Sequence, residues 1–260
     1  MTLTPTAARI ASVALLLVLL AVWELAARAS GVSALVLPAP SAIARSLWNG
    51  LVSGYLWPHL RATSIELVLG LLLGCLAGFG SGVLMAESPV LERLLKPYVV
   101  VSQVIPKLAL MPLFIVWFGF GMTSTIVITA LICFFPLMEN TVTALRQVDP
   151  QRLELFRMLG ATRRQTLWRL KLPSGLPGIL AGLRVAVVLA LVGAVVGEFI
   201  GASQGLGALI IASQGMMDTP LMFAVLVLIA ALGMLLYQLT VALEKRLLLP
   251  YTQLPCRTSK

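Results

Sequence analysis

Long apolar runs alternate with short polar gaps along nearly the whole chain. Six runs approach or exceed the roughly 20 residues that carry a helix across a bilayer. They fall at about 10–29, 60–86, 98–119, 122–145, 177–200 and 220–243. The pattern predicts an all-α integral membrane protein with six transmembrane helices. The first run could also be read as a signal peptide, because Arg9, an apolar core and Ala27-Arg28-Ala29 imitate a cleavage site. Trp23 and Glu24 interrupt the approach to that site, and more spans follow, so an uncleaved anchor is the simpler expectation.

Composition agrees with the pattern. Of the 260 residues 59% are hydrophobic and 11% charged, with a mean hydropathy of +0.99; soluble domains carry about 25% charged residues. A net charge of +9 could suggest nucleic acid, but the cations collect in gaps between runs, which excludes that reading. Segments 1–9, 87–97, 146–176 and 244–260 hold fourteen of the nineteen Lys and Arg residues: Arg9, Arg93, Lys96, Arg146, Arg152, Arg157, Arg163, Arg164, Arg169, Lys171, Lys245, Arg246, Arg257 and Lys260. The gap 201–219 holds none. Cytoplasmic loops carry the positive excess, so both termini and 146–176 are expected in the cytoplasm.

The expected divisions are 1–34 (cytoplasmic end and first helix), 35–59 (extracytoplasmic connector), 60–248 (core, with 146–176 as its cytoplasmic loop) and 249–260 (cytoplasmic tail). In the connector, a short amphipathic helix is expected from about Ser41, with Ser41 as its N-cap and Trp48, Tyr55 and Trp57 suited to a membrane interface. It reads equally well as a passive connector or a partner contact.

Gly70, Gly74, Gly78 and Gly82 recur every four residues in the second run. Gly193, Gly197, Gly201 and Gly205 do so on and just past the fifth. That spacing keeps each set on one helix face and permits close helix packing, which points to spans two and five as the centre of a bundle. Pro106, Pro112 and Pro136 fall inside spans three and four, where proline bends a helix and frees a carbonyl. Lys107 then lies near the middle of span three, too deep to snorkel fully. It is a candidate for lining a translocation path together with Asn140, whose amide could accept from it; an internal structural pair is the competing reading. Glu139 and Arg184 are expected to snorkel or pair.

Chemistry of other kinds finds little support. Cys75, Cys133 and Cys256 form no CxxC pair, the lone His59 cannot build a metal site by itself, and neither HExxH nor GxxxxGK[ST] occurs. No metal or cofactor is expected, and any work on ATP falls to another protein.

The loop 146–176 is more structured than a connector needs. Asp149-Pro150 starts a helix that stops at Gly160, Thr162 can cap a second one, and Leu172-Pro173 is expected to break it. Apolar residues interleave with the cations.

This stretch resembles the EAA loop of ABC importer permeases: EAA, three residues, Gly, nine residues, Ile, any residue, Leu-Pro. Glu154-Leu155-Phe156 takes the EAA position, Gly160 the glycine (followed by Ala161), Leu170 the Ile, and Leu172-Pro173 the final pair. Leu155 and Phe156 in place of two alanines make a bulkier knob. "LPAPSAI" (37–43), "IPKLALMPLFIVWFGFG" (105–121), "FFPLMENT" (134–141) and "GEFIGASQGLGALI" (197–210) are similar to permeases for nitrate, sulfonate and taurine, a group with riboflavin and thiamine-precursor relatives. The resemblance spans about 35–248. It implies a type I importer fold, an accessory first helix plus a five-helix core, in the bacterial inner membrane. It also implies a second permease copy, a cytoplasmic ATPase dimer that binds the ATP, and an extracytoplasmic binding protein. Glu154 would hold the ATPase by polar contact while Leu155 and Phe156 fill its groove.

Two other classes compete. An ion-coupled transporter or channel would want inverted repeats and paired intramembrane acids; no repeat is evident and the acids are few. An intramembrane enzyme would need a cluster that the single His59 does not supply. Nothing in the sequence selects a substrate.

Overall fold

The computed structural model describes residues 5–29, 33 and 35–252. The end of the expected tail, 253–260 with Cys256, Arg257 and Lys260, lies outside the described residues, as does the side chain of Arg9. Among the described residues every regular element is helical: α1 Pro5–Ala29, α2 Pro40–Val52, α3 Leu56–Glu87, α4 Pro89–Val104, α5 Met111–Phe118, α6 Met122–Arg146, α7 Pro150–Met158, α8 Arg163–Thr166, α9 Leu172–Gly201, α10 Leu206–Gly215 and α11 Thr219–Thr252.

The 32 residues of α3 extend roughly 48 Å at 1.5 Å per residue, well beyond a hydrocarbon core of about 30 Å. α3, α6, α9 and α11 are each long and apolar enough to cross alone, as is the run Ile10–Ala29 of α1. The remaining crossing is broken. It was expected as one bent span from about 98, with 87–97 as a gap. Instead α4 starts at Pro89, where Ser88 Oγ accepts the Leu91 N–H at 3.3 Å, and the chain bends by 84° after Val104. A residue preceding proline is pushed to extended backbone, and Ile105 (φ −68°, ψ 125°) obeys, so Pro106 ends the helix rather than kinking it. A 3₁₀ turn, Lys107–Leu110, then leads into α5.

The two glycine-bearing helices share the centre of the bundle with α6, which packs along α3 on one side and α9 on the other. Half of the apolar window of α6 is buried within the chain, against 44% for the span ending in α9, 28% for α3 and none for α1. Leu67, Cys133, Ala186, Ala190 and Ala194 fill the seam of the three helices. The small residues of α3 and α9 are what let the Thr-rich, wider α6 fit between them.

α1 stands apart and is fastened mainly through one acid. Ser41 was expected to cap α2, but the N-cap is Ala39, which has no side-chain oxygen. Glu24 of α1 does the work from outside, accepting the Ser41 N–H at 2.9 Å and its hydroxyl at 2.7 Å, with Arg28 Nε at 2.6 Å. Trp23 meets Phe223 of α11 edge-on, centroids 6.0 Å apart.

Candidate functional site

Asp149 Oδ1 accepts the Gln151 N–H at 2.9 Å and opens α7. α7 closes at Leu159, and Gly160 turns the chain at φ +70°, a conformation that costs an L residue about 1–2 kcal/mol. The Gly160 N–H reaches Arg157 O and the Ala161 N–H reaches Phe156 O, both at 3.0 Å. Thr162 and Gln165 then form a reciprocal capping box, at 3.2 and 2.8 Å, that starts α8. Leu172-Pro173 does not break the second helix. Residues 167–171 widen into a π-turn, in which the Leu172 N–H bonds Leu167 O, and the helix runs on into α9. Proline lacks the N–H that an α-helix would direct at the carbonyl four residues back; the widened turn absorbs that mismatch. The second helix of the pair is therefore continuous with α9.

Two ion pairs brace the bundle where the loop leaves α6 and where it rejoins the chain before α9. Lys171 Nζ lies 2.6 Å from Glu87 Oε1 at the end of α3. Arg146, at the end of α6, bonds Glu92 of α4 at 2.5 Å and Met85 O at 3.3 Å. The outward face is apolar: Leu155 is 49% exposed, Met158 79% and Leu159 73%. Glu154 is exposed beside them, while Phe156 and Ala161 are half-buried and line a shallow recess with Leu159, Gln165 and Arg169. Leu172 and Pro173 are half-buried at the root.

Lys107 and Asn140 line one cleft of about 610 Å³, with Gln103, Phe135, Glu139, Leu189 and Val192 among the other walls. Lys107 does not sit in mid-helix: it begins the 3₁₀ turn at the 84° break. Its ammonium lies 4.6 Å above the Phe135 ring, a cation–π contact. Among the described residues no hydrogen bond joins Lys107 to the Asn140 amide, whose Nδ2 donates to Pro136 O at 2.8 Å. Arg184 is ion-paired with Glu244 of α11.

The first glycine ladder lies against α6 throughout. A Cβ on Gly70 would stand 2.6 Å from Thr129 Cβ, on Gly78 2.5 Å from Phe134 O, and on Gly82 2.7 Å from Thr141 Cβ; on Gly74 it would meet Ala130 O. Gly193 and Gly197 press on Thr129 and Thr125 from the other side, and Gly201 meets Met111 and Ile115. Gly205 has a different task. At φ +134° it leads into α10, where a Cβ would enter the Glu198 carboxyl group.

Helix α10 itself was missed, because a ten-residue apolar segment between two spans reads as a connector. The buried acids Glu66 and Glu198 were also missed. They are 2% and 0% exposed, and each leaves one carboxylate oxygen without a hydrogen-bond partner. Each stands alone in an apolar run of sequence, a signal for burial but not for its surroundings. Around them Thr63 Oγ1 accepts the Leu206 N–H at 2.7 Å and His59 Nδ1 approaches Gly205 O at 3.0 Å, so α3 and α9 together hold the start of α10.

Comparison with known proteins places this architecture. Residues 70–249 match the model of a family described as binding-protein-dependent transport system inner membrane component. The riboflavin transport system permease protein RibX of Chloroflexus aurantiacus is 40% identical over 232 residues, 89% of this chain and 87% of that protein. The formylaminopyrimidine transport permease protein ThiX of Halalkalibacterium halodurans is 39% identical, covering 90% and 93%. The taurine transport system permease protein TauC of Escherichia coli is 33% identical, covering 91% and 88%. A chain from the MetNI methionine ABC transporter, solved in inward-facing conformations, superposes with a TM-score of 0.66 at 21% identity over 75% of this chain and 98% of its own; that likeness carries the fold, a type I importer permease. The chain belongs to the binding-protein-dependent transport system inner membrane component family.

Proposed function

We propose that this chain is the membrane-spanning subunit of an importer whose ATP is bound and hydrolysed by separate cytoplasmic subunits, docked on the α7–α8 pair. One observation carries the reading: α7 and its C-cap expose apolar Leu155, Met158 and Leu159, while α8, just past the Gly160 turn, runs through the π-turn without a break into a transmembrane helix. A surface fixed in that way passes force to α9 as a rigid lever. If an ATPase groove grips the knob differently in its open and closed states, that difference is what shifts the permease between conformations. In this reading the nucleotide is held by the partner subunits.

The cleft of Lys107 and Asn140 supplies the path, completed by a second copy of the chain against the exposed apolar residues of α4 and α5, such as Val104 and Trp117. An extracytoplasmic binding protein delivers the solute, as the family description implies. Relatives are named for riboflavin, formylaminopyrimidine and taurine transport, so the cargo is a small organic solute, and Lys107 gives the path a site for an anionic group. Both termini and the α7–α8 pair face the cytoplasm in this scheme, in line with the distribution of the cations.

Co-purification with the ATPase subunit tests the docking role. Glu154→Ala removes an exposed polar anchor, and Gly160→Val places a β-branched residue at φ +70°. Both variants should insert normally yet retain less ATPase than wild type. Wild-type co-purification and uptake in both would sink the assignment.

A further inference from the structure

We infer that the cavity at the root of the α7–α8 pair binds a doubly charged phosphate group, free or on a lipid headgroup, between Arg157 and Arg163. The cavity measures about 330 Å³, and its walls carry Arg157 of α7, Arg163 of α8, Lys171 before α9 and Glu87 at the end of α3. Small-molecule sites run from about 300 to 1,000 Å³, so the space suits a small ion or a small phosphate monoester.

Charge selects the kind of ligand. Lys171 and Glu87 satisfy one another at 2.6 Å. Arg157 and Arg163 enter none of the ion pairs among the described residues. Three cations against one carboxylate leave a charge of +2 around the cavity. A phosphate monoester carries about −1.5 to −2 at neutral pH and balances it. Each guanidinium presents paired N–H donors that match two phosphate oxygens, whereas a monoanion would leave one cation uncompensated.

The cavity faces away from the apolar docking surface. Leu153 and Arg157, four residues apart, share the side of α7 that lines it, while Leu155, Met158 and Leu159 project from the other side. A partner seated on those apolar residues therefore meets a different face of the helix. Arg157 and Arg163 also stand on either side of the Gly160 turn, where φ is +70°. Beyond that turn α8 is continuous with α9. A dianion held by both guanidiniums ties α7 to the transmembrane helix and clamps the coupling between them. The clamp rests on the importer reading; the phosphate site does not.

Equilibrium dialysis of the full chain in phosphatidylcholine nanodiscs, without ATPase subunits, measures binding of radiolabelled inorganic phosphate. One saturable site is expected, weakened about tenfold or more in Arg157→Gln and in Arg163→Gln. Neither arginine has an ion-pair partner to lose, so both variants should fold. Arg164→Gln, on α8 but outside the cavity walls, should bind as wild type, and chloride at equal ionic strength should not displace the ion. No saturable binding, equal weakening in Arg164→Gln, or displacement by chloride overturns the site. Absent phosphate binding together with loss of the ATPase from Arg157→Gln would overturn it in favour of a carboxylate of that partner. Phosphatidic acid in the discs, set against phosphatidylglycerol for surface charge, separates the two sources. Competition with free phosphate assigns the site to a lipid headgroup, and unchanged affinity assigns it to a soluble phosphate. In the complete complex, with phosphate present, Arg157→Gln should lower uptake per ATP hydrolysed about twofold or more; an unchanged ratio overturns the clamp. A wild-type complex that transports nothing would count against the importer reading alone, since the dialysis needs neither ATPase nor cargo.

Discussion

Alanine at Gly78 should separate α3 from α6, and alanine at Gly80, two residues along the same helix, should not. The Cβ of Gly78→Ala would lie 2.5 Å from Phe134 O and 3.3 Å from Met138 N. Ordinary contact starts at 3.4 Å, so the shortfall is about 0.9 Å against backbone, which has no rotamer to change. Only a shift of one helix relieves it, and a gap of 0.5–1 Å forfeits a quarter to a half of each van der Waals contact it opens. Overpacking of this kind costs about 1–3 kcal/mol. A Cβ on Gly80 has no atom within 4 Å. Both variants gain the same helix propensity, up to ~1 kcal/mol in aqueous hosts, so their difference isolates the packing cost. Reversible unfolding of the isolated chain in mixed micelles, titrated with a denaturing detergent, should place Gly78→Ala about 1–3 kcal/mol below Gly80→Ala. Agreement of the two within about 0.5 kcal/mol, the scatter of additive effects, would refute a tight α3–α6 seam.

Two further outcomes bear on the path and on sidedness. Lys107→Met should cut uptake strongly while complex assembly and basal ATP hydrolysis persist; unchanged uptake in a stable complex would remove Lys107 from the path, and a parallel fall in thermal stability would make it structural. With Cys256 replaced by Ser, Met158→Cys, at a position 79% exposed, should resist a membrane-impermeant thiol reagent in intact cells and react in inverted vesicles; labelling from outside would reverse the assigned orientation.

The apolar runs were readable from composition alone because a membrane offers backbone polar groups no partner except their own helix. The same reasoning located α7, Gly160 and the Thr162 cap, since caps and left-handed turns are chosen by residue type within a few positions. Glycine spacing likewise marked the faces of α3 and α9 that pack closely.

What the sequence alone could not determine is which surfaces meet. The ladders marked two faces but not the helix between them, and α6 carries no comparable repeat because it presents the side chains those glycines accommodate. Leu172-Pro173 looked like a break, yet continuity across it depends on a π-turn whose hydrogen bonds are settled by the joined helix. Glu24 caps a helix beginning 16 positions later, and Thr63 on α3 accepts the N–H of Leu206 at the start of α10. Such pairings are distant in sequence, and each polar group alone reads as an interruption in an apolar run. Only packing shows that burial became tolerable because a donor on another element arrived at the same place.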